Sequence, residues 1–181
     1  MYPVRRQIYE TLRARRATKL KPWEPHVNGM RAWPWDIDPL GDLNNGRILT
    51  LSDVGRIALA RRIGLIDAMT ANGWRIAMAG STPQYRKRVT LWARLTWHNR
   101  LIGMDEKFLY IEHTLFANGV PSANIMTRSV IVQNGKLVPT AEVAAALGCA
   151  DWRPLLPEWV VEWAAADDKR PYPFPEMTTD A

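Results

Sequence analysis

The chain has 181 residues, 47% of them apolar and 23% charged, which is enough apolar side chain for one buried core and too much for a disordered chain. Twenty-four Lys and Arg against eighteen Asp and Glu give a net charge of +6, which favours anionic ligands or surfaces without choosing among them. A lone cysteine, Cys149, excludes an intrachain disulfide framework and a thiolate metal cluster, and the longest apolar run falls short of a membrane span.

Residues 1–20 carry six basic side chains and one acidic one, and Ile8 and Leu12 sit at helical spacing, so a short basic helix is expected there. Such an arm packs on the domain or on a partner subunit, or meets an anionic surface; the sequence leaves both readings open. Polar, charged residues follow Arg5 and Arg6 where an export signal would be apolar, and a cytoplasmic protein with no integral membrane span is the expectation. Residues 21–40, with Trp23, Trp33 and Trp35 among Pro22, Pro34 and Pro39, read as an irregular segment or an edge strand.

After Asn44-Asn45-Gly46 the pattern becomes helical. Thr50 or Ser52 is a candidate cap, and Leu51, Val54, Ile57, Ala58 and Ile63 continue an apolar face to about Ala68 or Met69, predicting one central helix. Strands are predicted over Trp74–Gln84, Lys87–His98, Lys107–Phe116 and Ser122–Gln133, with Asn118-Gly119 as a hairpin turn and Asn134-Gly135-Lys136 ending the sheet. Ala141–Leu147 followed by Gly148 predicts a short helix. In the tail, Glu158–Ala166 reads as a helix whose tryptophans, with Trp152 before it, pack on the body or on a second subunit, and a Pro-rich end follows. The order of elements predicts an α+β fold, organised as an arm (1–20), a core domain (21–148) and a Trp/Pro-rich extension (149–181). Exposed strand edges call for a partner, and a dimer that continues the sheet across two chains satisfies them.

The densest polar segment, Asp36 to Arg47, places three carboxylates and two amides within ten residues, immediately before the central helix. Acidic and amide side chains form turns, and they also orient reactants. The spacing of Asp36, Asp38 and Asp42 lacks the oxygen-ligand pattern of a calcium loop, His26, His98 and His113 lack zinc spacing, and Ser52 and Ser81 lack a nucleophile elbow. No metal site and no cofactor are expected.

Asp36, Asp38, Gly41, Asp42, Asn44 and Asn45, followed by Ile48, Asp53 and Arg56, resemble the Asp-x-Asp-x-x-Gly-His-x-Asn-Asn motif and the following helix of hotdog-fold acyl-CoA thioesterases, in particular the 4-hydroxybenzoyl-CoA thioesterase branch. The resemblance extends over about residues 24–134 and includes Asp105, Lys107, Tyr110, Glu112 and His113. It implies an antiparallel sheet wrapped around one long helix, a homodimer or tetramer, and hydrolysis of an acyl-CoA to a carboxylic acid and free CoA. It further implies Asp38, Asn45 and Asp53 as catalytic candidates. Asp38 would attack the thioester or activate water, Asp53 would be an alternative carboxylate, and Asn45 would orient the reactants. Gly41, Asp42, Asn44 and Ile48 would shape the substrate site, while Arg86 and Arg88, chosen from charge alone along with Lys87 and Arg100, would meet the CoA phosphates. Arg56 would pair with an acid such as Asp36 or face the ligand.

Two departures stand out: Asp42 occupies the family's histidine position and Ile48 its tyrosine position. They keep open a catalytically weak protein that binds an acyl thioester or serves as an interaction surface. A non-specific nucleic-acid binder is a third, lower reading, and no nucleic acid is expected among the partners.

Overall fold

The computed structural model describes residues 2–171; the Pro-rich end predicted beyond them lies outside the described residues. Helix α1 (Val4–Arg16) is followed by strand β1 (His26–Arg31), a 3-10 turn (Pro34–Asp36), α2 (Asn45–Arg62) and α3 (Leu65–Asn72). Strands β2 (Arg75–Tyr85), β3 (Arg94–Met104), β4 (Leu109–Ala117), β5 (Val120–Gln133) and β6 (Lys136–Val138) come next, and α4 (Thr140–Ala146) and α5 (Glu158–Asp168) complete the described chain.

The strands pair antiparallel in the order β1-β3-β4-β5-β2, and β6 pairs with the end of β5. The sheet curls around α2, the hotdog arrangement. Period-two alternation supplies both of its faces. Leu109 and Ile111 of β4 join Leu59 of α2, Ile63 just after it and Leu101 of β3 on the inner face. Tyr110, between them, joins Met126 and Val160 on the outer face, which α5 covers. Toward the other end of α2, Ile48 and Leu51 pack on Leu95, Trp97, Leu115 and Ile125. Leu51 and Leu59 are fully buried, and each such side chain contributes about 1.5–3 kcal/mol relative to exposure.

The tail is clamped by charge as well as by packing. Arg128 on β5, itself buried, reaches Asp167 at 2.5 Å and Asp168 at 3.1 Å, and its guanidinium lies over the rings of Phe108 and Trp163. Trp152 packs on Trp23 at 5.6 Å between ring centroids, so Trp152 and Trp163 of the tail bind the body as expected.

Four local expectations are corrected. The central helix starts at Asn45, capped by the Asn44 side chain, which accepts from the Arg47 amide at 3.0 Å; Thr50 and Ser52 lie inside it, donating to the Gly46 and Leu49 carbonyls. It also stops at Arg62, because Gly64 turns left-handed and redirects the chain into α3. Residues 87–93 are not strand: the Trp92 amide bonds the Ala32 carbonyl and Trp92 has φ +63, so the strand begins at Arg94 and Leu91 is exposed. Asn134-Gly135 does not end the sheet; both residues have positive φ and return the chain as β6, the same hairpin chemistry that Asn118-Gly119 provides between β4 and β5.

Candidate active site

The loop between the 3-10 turn and α2 is built around Asp36. Its carboxylate is fully buried and accepts from the Trp33 amide at 2.9 Å, Arg6 Nη2 at 2.6 Å and Arg47 Nε at 2.6 Å. Burial opposes its ionisation, but the amide bond and the two guanidinium groups outweigh that, and its pKa lies below the usual carboxylate value. Arg56, the partner expected for Asp36, is instead bound to Asp53, three residues earlier on the same helix, at 2.8 Å.

From this anchor the chain makes a tight turn. Gly41, at φ +83, donates to the Asp38 carbonyl, and the Asp38 amide donates to the Asp42 carbonyl. Asp38 Oδ1 accepts from the Leu40 amide at 2.9 Å and the Asp42 amide at 3.3 Å. Its Oδ2 accepts no hydrogen bond among the described residues, and Asp38 lines an open cleft with Asn44, Gly46, Arg47 and Thr50. The first turn of α2 borders the same cleft. Asn44 occupies the Arg47 and Ile48 amides, which leaves the Asn45 and Gly46 amides as donors with no acceptor among the described residues. A carboxylate oxygen and the free Gly46 amide of the helix N-terminus at one cleft can respectively supply a base or nucleophile and stabilise an oxyanion.

A second cleft lies where residues 85–89 cross the start of α2. Asp42, Asn45, Ile48, Tyr85, Arg86 and Arg88 line it. Asp42, at the position where the motif has histidine, receives Arg88 Nε on both carboxylate oxygens at 2.9 Å, and Arg88 also reaches the Leu40 carbonyl. Ile48 is buried in the core beneath this cleft and presents no hydroxyl to it.

Of the candidates named from sequence, the structure therefore gathers Asp38 and Asn44 at one cleft, and Asp42, Asn45, Ile48, Arg86 and Arg88 at the other, with Gly41 in the turn between Asp38 and Asp42. Asp53 is not brought to either. It lies eight residues into α2 from Asn45, about 12 Å along the axis, paired with Arg56 and facing the segment that carries Tyr2. Burial raises the Asp53 pKa against the opposing effect of Arg56, and burial followed by the Asp53 charge raises that of Tyr2.

Asp105, Tyr110 and His113 serve the fold. Asp105 accepts from the Lys107 and Phe108 amides and the Tyr110 hydroxyl, while His113 is buried between Asn99 and Thr127. Sequence reasoning missed Tyr85, Arg47 and Arg6. Tyr85 could have been found as the last strand residue before a basic triplet; the pairing of Arg6 with Asp36 spans 30 residues and leaves no local signal.

Residues 32–181 match the thioesterase-like superfamily. The chain is 34% identical over 137 residues to Protein THEM6 of Xenopus laevis, a match that covers 75% of this chain and 65% of the length of that relative. Among solved structures, the probable thioesterase YbaW of Escherichia coli superposes with a TM-score of 0.63 at 17% identity, over 67% of this chain and 95% of that one. A thioesterase of Thermus thermophilus, solved in complex with coenzyme A and Zn, superposes with a TM-score of 0.56 at 22% identity, over 84% of this chain and all of that one. At these identities the two structures establish the fold alone.

Proposed function

The chain belongs to the thioesterase-like superfamily, and from that premise we propose that it hydrolyses an acyl-CoA to a carboxylic acid and free CoA, with Asp38 as the reacting carboxylate. The observation that carries this reading is the division of labour within Asp38: Oδ1 is held by two loop amides, Oδ2 accepts no hydrogen bond among the described residues, and Asp38 lines an open cleft with Gly46, whose amide has no acceptor among them. A carboxylate fixed in this way attacks the thioester carbonyl, or takes a proton from the water that does, and the developing oxyanion is met by the Gly46 amide. Asn45 orients the reactants, and the exposed Arg86, Lys87 and Arg88 receive CoA phosphates.

The site lies near an open edge. Strand β2 pairs with β5 on one side only, and its exposed face includes Ile76 and Met78. A second copy of the chain adding to this edge would extend the sheet and bring another α2 and its Asp53 toward the cleft. A homodimer is therefore part of the proposal, and the arm, core and extension act as one unit.

The test is thiol release from acetyl, medium-chain, long-chain and aromatic acyl-CoAs by the wild type, Asp38→Asn and Asp53→Asn. Asparagine keeps the Oδ1 acceptor that holds the loop, so Asp38→Asn should lose turnover by about 100-fold or more while melting at the wild-type temperature. Unchanged turnover would reduce Asp38 to a loop residue.

One observation favours a second reading. Asp42 is engaged by Arg88 and Ile48 is buried, so neither supplies the side chain found at its position in the motif. A protein that binds acyl-CoA without turning it over would show saturable binding, unaffected by Asp38→Asn, and no thiol release across the panel.

A further inference from the structure

Helix α1 is amphipathic in an unusual sense. Its inner face, with Glu10 and Ala14 buried, packs on α2. Glu10 is the only acid among residues 2–20, and its carboxylate is turned inward, 3.1 Å from His26. The outward face carries Val4, Ile8 and Leu12, which at spacings of four share one side of the helix and are 54%, 55% and 47% exposed. Arg5, Arg15 and Arg16 surround this stripe, all exposed and none in an ion pair with another described residue. The outward face of α1 is thus an apolar stripe flanked by uncompensated positive charge.

The stripe does not end with the helix. A cleft of about 730 Å³ joins the start of α1 and the two residues before it, Tyr2 to Arg6, to Trp35. Trp35 is 68% exposed and stacks on Trp33 at 5.3 Å; the Trp33 ring in turn meets the edge of Trp92, which is also exposed. Soluble surfaces rarely leave so much apolar and indole surface contiguous, and tryptophan beside arginine is suited to a boundary where one side is apolar and the other is wet.

We propose that α1 and the Trp33–Trp35–Trp92 cluster form a docking face for an anionic lipid bilayer. Charge selects this occupant. A second copy seated on the same face about a two-fold axis would set Arg5, Arg15 and Arg16 against their own counterparts. A nucleic-acid backbone would match the arginines but leave the stripe between them without a partner. Anionic headgroups with acyl chains beneath them match both, the guanidinium groups lying at headgroup level while Val4, Ile8, Leu12 and Trp35 enter the boundary. Among the described residues no helix is long and apolar enough to cross a membrane, so the contact lies in the plane of the surface. This inference does not depend on the chemistry proposed for Asp38.

The experiment is co-sedimentation of the full chain with vesicles of phosphatidylcholine alone or with about 30% phosphatidylglycerol, at about 50 mM and about 500 mM salt. The wild type should bind the anionic vesicles at least about tenfold more tightly than the neutral ones, and high salt should weaken that binding. Arg5→Glu/Arg15→Glu/Arg16→Glu should abolish it. Val4→Ser/Ile8→Ser/Leu12→Ser and Trp35→Ala should each weaken it several-fold, with circular dichroism showing the fold retained. Failure to bind anionic vesicles, or binding indifferent to these exposed substitutions, overturns the proposal. So does a change in oligomer size in the serine variant without vesicle binding by the wild type, which would assign the face to a second copy.

Discussion

Gly55, at the middle of α2, lies so close to Asn99 on β3 that a Cβ added there would come within 2.3 Å of the Asn99 amide nitrogen and 2.6 Å of Asn28 Oδ1. The close approach lets a polar chain cross the core. Asn99 donates to Asn28 Oδ1 at 2.9 Å and to the His26 carbonyl, and its own Oδ1 accepts from His113 Nδ1 at 2.8 Å.

Gly55→Ala should therefore destabilise the protein, although alanine in a helix interior ordinarily gains up to about 1 kcal/mol over glycine. The added methyl displaces Asn99 or separates α2 from the sheet, and the expected net loss is about 1–3 kcal/mol. Chemical denaturation measures it; a variant as stable as the wild type would show that the network yields without cost.

His113 makes stability depend on pH. Burial, and secondarily the charge of Arg56, lowers its pKa from 6.5 to about 3. A base whose folded pKa is depressed binds its proton more readily when unfolded, so its contribution is complete above about pH 6.5 and is lost as the pH falls toward about 3. Between these limits unfolding free energy should fall by up to roughly 1.4 kcal/mol per pH unit from this group. His113→Gln should flatten that slope whatever its effect on stability at neutral pH.

Asp36 acts in a lower window. Its depressed pKa means that its ion pairs with Arg6 and Arg47 contribute fully above the ordinary carboxylate value near 4 and are lost as the pH falls through the lower folded value. Asp36→Asn removes the buried charge that Arg6 and Arg47 share and should cost about 3–5 kcal/mol, read as a fall in the thermal midpoint. Arg6→Gln, which leaves the Arg47 pair intact, should cost less.

Asp53 presents the opposite sign. Its raised pKa places its favourable contribution below the ordinary value near 4, and that contribution is lost as the pH rises through the higher folded value, so the ionised form opposes folding at neutral pH. Asp53→Asn should stabilise the protein at pH 7 wherever the relief of that burial outweighs the lost bond to Arg56, read as a rise in the thermal midpoint. If the same variant loses turnover, the carboxylate is retained for chemistry at the expense of stability; a more stable, fully active variant would remove Asp53 from the site.

What the sequence determined by itself was local. Alternation in Leu109, Ile111 and their neighbours, the turn pairs Asn118-Gly119 and Asn134-Gly135, and the motif from Asp36 to Asn45 each reside in a few consecutive residues, so sheet, hairpins and candidate loop could be read from periodicity and turn chemistry. The helix start was misplaced because Asn44, Thr50 and Ser52 are all competent caps, and only the loop bonded to Asp36 and Val89 decides which amides lack partners. Tertiary structure alone decided the rest. Arg6 finds Asp36 across 30 residues, Glu10 turns inward to His26, and Arg128 fastens the tail through Asp167 and Asp168. Such pairings depend on where folding carries distant segments, and a one-dimensional pattern holds no record of which charges the core will enclose and which it will leave facing outward.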